Sequence, residues 1–240
     1  VRYTAPASGT VSAINRGARR VLQSVVIDVA DTDGSADDAE QFGGFSADAA
    51  RQLDADTVRS QLIASGQWTC LRTRPFSKVP AIDSQAAAIF VTAIDTQPLA
   101  ADPGVVIAEQ GDAFALGLDL LAKLTDGKLY VCSAAGAELP AGSAANIQVE
   151  QFAGPHPAGL AGTHIHHLDP VGVGKSVWTV GYQDVIAVGR LFLDGRLYVG
   201  RVIALAGPQV REPRLLRTRV GADLEALCAG EIAEGNNRII

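Results

Sequence analysis

Ala86-Ala87-Ala88-Ile89-Phe90-Val91-Thr92-Ala93 is a run of small, aromatic and β-branched residues that carries no charge. An unbroken apolar run of this kind suits a strand buried on both faces of a parallel sheet. It leads into Ile94-Asp95-Thr96-Gln97-Pro98-Leu99-Ala100-Ala101-Asp102-Pro103. Asp95 and Thr96 therefore stand just past a strand's carboxyl end, where open α/β sheets hold ligands; equally, they could serve only to turn the chain. Residues 104 to 124 show helical spacing in Val106, Phe114, Leu118 and Leu121. Thr125-Asp126-Gly127-Lys128 then turns into a second buried strand, Leu129-Tyr130-Val131-Cys132. This β-α-β alternation predicts an α/β fold with a Rossmann-like layered sheet.

On the amino-terminal side, Ser46 to Ser65 reads as helical. Ser46 is a candidate N-cap, Asp54 or Asp56 caps a second helix through Val58, Leu62 and Ile63, and Gly66 stops it. Ala30 to Gly44 is acidic and Gly-rich, and reads as a linker. Its Asp31 to Gly34 group imitates a calcium loop without the closing Glu. Val1 to Val29 is β-rich, and Ala5-Pro6-Ala7-Ser8-Gly9-Thr10-Val11 resembles half of a lipoyl- or biotinyl-type hybrid barrel. Arg2 to Leu22 contains no Lys, so the cofactor-carrying residue of such barrels is missing. Arg16, Arg19 and Arg20 read as a solvent-facing cluster.

On the carboxyl-terminal side, Ile147-Gln148-Val149 is a further candidate strand. All four histidines lie between Gly154 and His167, in what reads as a loop and its exit. In a strand, His164 and His166 would share one face, with His167 opposite. A His-x-His pair can bind zinc or copper, but no carboxylate or thiol follows at ligand spacing, and hydrogen-bonded structural histidines are the favoured reading. Gly172-Val173-Gly174-Lys175-Ser176 lacks the first Gly of a P-loop, since Asp169 stands there, and the third Gly of a dinucleotide motif, where Val177 stands. Trp178 to Phe192 carries a helical stripe through Val185, Val188 and Leu191. Asp194-Gly195 reads as a hairpin-type turn into Arg201 to Ala206, and a β-β-α order suggests a small β-grasp unit. The expected division is a partial hybrid barrel at 1–29, a linker at 30–45, the Rossmann-like domain at 46–195, and the start of a β-grasp (SLBB-like) unit at 196–240.

Among its 240 residues, 48% are hydrophobic and 19% charged, as in globular chains. A net charge of −6 disfavours general nucleic-acid binding. No apolar run is long enough to cross a bilayer, and no basic n-region followed by an apolar stretch opens the chain. Cys70, Cys132 and Cys228 are three widely spaced thiols, neither a disulfide framework nor a zinc site, and all three are expected to be buried. The absence of Met suggests a piece of a longer protein.

The densest cluster of chemistry is Leu71-Arg72-Thr73-Arg74-Pro75-Phe76-Ser77-Lys78-Val79-Pro80. Two prolines push it out of helical geometry, so an extended, stiff loop presenting Arg72, Arg74 and Lys78 is expected. It suits an anion, a polar headgroup or an acidic partner, or is a basic surface loop.

With these segments in place, the chain resembles the A subunits of sodium-translocating NADH:quinone reductases, bacterial respiratory pumps. The resemblance extends over essentially the whole chain. It rests on Ala5 to Val11 with Ile14-Asn15-Arg16-Gly17, Ser65-Gly66 with Trp68, Arg72 to Pro80, Phe90-Val91-Thr92-Ala93 and Pro98 to Pro103. Gly154 to Gly159, Gly162-Thr163-His164, Tyr182 to Ala187 and Ala206-Gly207-Pro208 complete it. Ile94, Gln97 and His167 depart from the usual pattern, away from the basic loop. More distant similarity runs to the C subunit of the Rnf complex and to the flavin-carrying NADH-binding subunit of respiratory complex I. In the latter, a Gly-rich loop cradles FMN; the equivalent here is Leu71 to Lys78, with Pro75 and Phe76 where close backbone approach is needed.

The resemblance therefore implies a peripheral subunit on the cytoplasmic side of the bacterial inner membrane. It would be part of an NADH:ubiquinone oxidoreductase, with no flavin or metal of its own and no catalytic residue. Its partners would be the other subunits and quinone, and no nucleic acid. The candidate quinone contacts are Leu71, Arg72, Thr73, Arg74, Pro75, Phe76, Ser77 and Lys78, with Asp95, Thr96 and His164 secondary. The alternative is a scaffold subunit whose basic loop docks a partner.

Overall fold

The computed structural model describes residues 2–30 and 39–239. The aspartates at 31–38, with the calcium-loop imitation and most of the acidic linker, lie outside them.

Ile89–Ala93 forms β4, and the central sheet is built around it in the order β3-β7-β4-β5-β6. β5 (Leu129–Ala134) and β7 (Val177–Gly181) flank β4 in parallel, and β6 (Ile147–Phe152) runs parallel to β5. β3 (Arg72–Arg74) is an antiparallel edge strand on β7, pairing Arg72 with Thr179 and Arg74 with Val177. β4 is the strand that the apolar run predicts: Ile89, Phe90 and Val91 are all fully buried.

The two faces differ in depth. Ile89, Val91, Leu129, Val131, Trp178 and Val180 face a large core closed by α4 (Gly111–Ala122) and α6 (Tyr182–Asp194). Phe90, Cys132 and Val177 face a smaller cluster under α5 (Ala161–Leu168). Each fully buried Phe or Leu on the larger face contributes about 1.5–3 kcal/mol relative to exposure. The expected helix at 104–124 is two helices, α3 (Pro103–Ala108) and α4. Asp102 caps α3 by accepting from the Gly104 N–H, and Pro103 supplies a first position that needs no donor.

Helix capping at 46–66 follows the sequence. Ser46 accepts from Ala49 N at the start of α1 (Ala47–Arg51), and Asp54 accepts from Thr57 N at the start of α2 (Ala55–Ala64). The last carbonyls of α2 are met from far away in sequence: Arg2 Nη1 donates to Ala64 O and Thr4 Oγ1 donates to Ser65 O. These bonds tie the segment before the antiparallel hairpin of β1 (Gly9–Arg16) and β2 (Leu22–Val29) to the sheet domain.

Three expectations need correction. Val177–Gly181 is a strand, not part of the helical stripe; Gly181 is at once its last residue and the N-cap of α6, so no turn residue separates the two periods. Gly195, at φ 66°, is the left-handed C-cap of α6 rather than a hairpin turn. The segment 161–168 is helix α5, not a strand or loop, so His164 and His166 do not share a face; His164 is fully buried and His166 exposed.

Beyond α6, β8 (Gly200–Leu205) and β9 (Arg214–Arg219) form an antiparallel pair, followed by α7 (Leu224–Cys228). Gln183 docks this pair on α6: its Nε2 donates to Val202 O and its Oε1 accepts from Val202 N. The side-chain amide thus satisfies both backbone groups of one strand residue. Arg201 pairs with Asp184, and Arg217 with Glu109, across the same seam.

Candidate functional site

Both ends of the Leu71–Pro80 segment are set in the core. Leu71 is fully buried, Pro80 is buried, and the indole Nε1 of Trp68 donates to Pro80 O at 2.9 Å. Trp68 itself lies edge-on to Trp178, with the Arg59 guanidinium over its ring. Between these anchors the chain is not an extended loop. Arg72 to Arg74 is β3, and residues 75 to 78 close a tight turn.

Thr73 organises that turn. Its N–H donates to Lys78 O, its carbonyl accepts from Ser77 N, and its Oγ1 donates to Pro75 O while accepting from Lys78 N. Phe76 and Ser77 take positive φ, 80° and 49°. That is costly backbone for a bulky residue. Phe76 is nonetheless 82% exposed, presented at the tip of a fastened turn. Lys78 and Ser77 are exposed beside it, and Arg74 is half-buried.

The eight candidate residues do not converge on one point. Because β3 runs antiparallel to β7, Arg74 lies at the amino end of β7 and Arg72 nearer its carboxyl end. The tip carrying Phe76 therefore projects from one edge of the sheet. Arg72 belongs to the other, where it lines a cleft of about 550 Å³ with Asp184 and Arg201. Leu71 is a core residue.

Asp95 and Thr96 follow β4 at the carboxyl edge. Asp95 accepts from Gln97 N, so it does turn the chain. Thr96 Oγ1 accepts from Gly159 N and meets His156 Nδ1 at 3.3 Å, fastening the Gly154–Leu160 loop over that edge. His164 extends the same fastening through its Nε2 and Ala158 O, 2.8 Å apart. Its Nδ1 is buried with no partner, and its ring packs on Phe152 at 4.3 Å. Burial holds the His164 pKa below the ordinary histidine value, against the opposing effect of its bond to Ala158.

Among the described residues, no group of three or more His, Cys, Asp or Glu side chains is placed to hold a metal ion. Cys132 is buried and its thiol is pushed up to about 12, chiefly by burial; Cys70 and Cys228 are only half-buried. No helix among the described residues is long and apolar enough to cross a membrane.

Residues 53–197 match the family model described as the NqrA second alpha/beta domain. The chain belongs to the NqrA family. Residues 1–30 match the NqrA N-terminal barrel-sandwich hybrid domain, and 202–240 the NQRA C-terminal domain. Curated relatives are named as the A subunit of Na(+)-translocating NADH-quinone reductase. That of Saccharophagus degradans is 59% identical over 240 residues, all of this chain and 53% of its own length. That of Pseudomonas aeruginosa strain UCBPP-PA14 is 59% identical over the whole chain and 52% of its own length. That of Neisseria meningitidis is 56% identical over the whole chain and 53% of its own length. The chain thus spans about half the length of the curated relatives it matches. The mixed α/β sheet with flanking hybrid-barrel and SLBB-type parts agrees with the fold expected from sequence.

The cleft is the feature that sequence reasoning missed. Of its charged residues, only Arg72 stands in a stretch whose composition draws notice. Arg201 lies in a predicted strand, and Asp184 in a predicted helix that begins later in the structure than its apolar stripe implies.

Proposed function

We propose that this chain acts within a sodium-pumping NADH:quinone oxidoreductase as a peripheral subunit on the cytoplasmic side of the membrane. In this reading the turn from Thr73 to Lys78 touches the quinone or its tail. The observation that carries it is Phe76: a large aromatic side chain, 82% exposed, held at positive φ on a turn whose two ends are buried. An exposed aromatic gains little from solvent, whereas packing on an apolar ring or isoprenoid would bury it. Ser77 and Lys78 stand beside it as donors for carbonyl oxygens. Redox chemistry would belong to the partner subunits, since the turn offers contacts and no acid–base pair.

The test is the steady-state kinetics of the assembled complex. Phe76→Ala removes about 1.5–3 kcal/mol of apolar contact if the ring is covered by quinone, which is a rise of roughly 10- to 150-fold in the KM for quinone. Reduction of the complex by NADH should be unchanged. An unaltered quinone KM in a fully assembled complex would refute the contact.

The second reading is a scaffold whose basic turn docks a partner subunit, favoured by the exposure of Lys78. It requires charge reversal at Arg72 or Arg74 to loosen assembly while the quinone KM of intact complexes stays constant.

A further inference from the structure

The cleft on the opposite edge of the sheet has walls from three separated parts of the chain. Thr4 belongs to the amino-terminal segment, Arg72 and Asp184 to the sheet domain, and Tyr198 and Arg201 to the start of β8 and the residues before it. Its volume of about 550 Å³ falls in the range of small-molecule sites. It lies at the carboxyl end of a parallel strand, β7, where the chain turns into α6, the usual ligand edge of such sheets.

The charges in it do not balance. Arg72 and Arg201 stand with a single carboxylate, Asp184, which pairs with Arg201. Arg201 Nη2 bonds Asp184 Oδ1 and its Nη1 bonds Gly200 O. Arg72 spends Nη1 on two backbone carbonyls, Thr69 O and Leu71 O. Among the described residues it makes no ion pair, and its Nε and Nη2 have no hydrogen-bond partner. A guanidinium fixed by its own backbone, with one side of its fork open, is pre-organised for an oxyanion. No glycine-rich turn stands here to cradle a diphosphate.

We propose that this cleft binds a small molecule through its carboxylate or phosphate group, gripped by the open fork of Arg72 with Arg201 beside it. The site is independent of the quinone contact: Phe76 is on the other edge of the sheet, and only Arg72 belongs to both stretches of sequence. Asp184 holds Arg201 in place and excludes a second anion.

The experiment is equilibrium dialysis of the full-length protein against labelled inorganic phosphate and, separately, labelled succinate, with circular dichroism to report the fold. Saturable binding of one probe assigns the oxyanion class. Arg72→Gln should weaken it at least tenfold, Arg72→Lys by a smaller factor because the charge stays and the fork is lost, and Phe76→Ala should leave it unchanged. If Arg72→Gln does not fold, Arg72→Lys is decisive, with several-fold weakening expected. Absence of saturable binding of both probes overturns the proposal, as does wild-type affinity in the folded Arg72 variants. Either result leaves the quinone reading standing, since that reading is scored on Phe76 and the quinone KM.

Discussion

Gly117 of α4 and Gly189 of α6 face each other's helices in a reciprocal way. A Cβ at Gly117 would stand 2.1 Å from the carbonyl oxygen of Val185, and one at Gly189 would stand 1.9 Å from that of Ala113. Neither obstacle is a movable side chain. The two helices approach backbone to backbone within the larger core. The first turn of α6 places Gln183 and Asp184 against β8.

Gly117→Ala or Gly189→Ala should therefore destabilise the protein by about 1–3 kcal/mol or more. A fall of roughly 2–12 °C in Tm by differential scanning calorimetry checks it. Gly162→Ala is the control: its Cβ would meet nothing within 4 Å in α5, so a gain of about 0.5–1 kcal/mol is expected.

Asp119 is the buried polar node of the same core. Its carboxylate accepts from Arg51 Nε, Ser143 N, Ser143 Oγ and Ala144 N while only 3% exposed. Asp119→Ala would remove the buried partner of Arg51, which keeps its exposed pair with Asp48, and would leave two backbone N–H groups without an acceptor. A loss of about 2–4 kcal/mol in urea unfolding is expected, with Asp119→Asn losing less because the amide oxygen still accepts.

Gln183→Ala should free the β8–β9 pair without unfolding the sheet. Hydrogen exchange at Val202 and its neighbours should speed up at least tenfold, since two bonds worth about 1 kcal/mol each are removed. Protection in β4 and β5 should not change. Equal protection of β8 in the variant would show that the Arg201–Asp184 and Arg217–Glu109 pairs suffice.

His164 gives a pH dependence of definite sign. Its pKa is lowered in the folded protein from 6.5, so the unfolded chain binds the proton more readily. Stability is complete above about pH 6.5 and declines as the pH falls below it. His164→Phe should flatten the pH profile of urea unfolding below about pH 6.5. An unchanged slope would contradict the burial of a neutral imidazole.

The apolar run at 86–93 made the parallel sheet legible, because few other environments tolerate eight uncharged residues ending in an Asp-Thr turn. The caps Ser46 and Asp54 were legible for the same local reason: an oxygen three residues before an unmet N–H is a short-range signal. β7 was not, because Gly181 ends a strand and caps a helix in one residue. Nor was α5, since Gly162 and three histidines are weak helix formers held by packing on β4 and Phe152. The basic segment was legible in composition but not in geometry. Only the antiparallel register of β3 separates Arg72 from Phe76, and the cleft needs Arg201, more than a hundred residues away in sequence.

The central claim is that the turn at Phe76 meets quinone in the assembled complex. Amine modification of Lys78, quantified by peptide mass spectrometry with and without a tight-binding quinone analogue, tests it most directly. The account predicts that the analogue slows Lys78 labelling at least several-fold while Lys175, which is paired with Asp169 on another loop, labels at the same rate. Equal labelling of Lys78 in both conditions would contradict it.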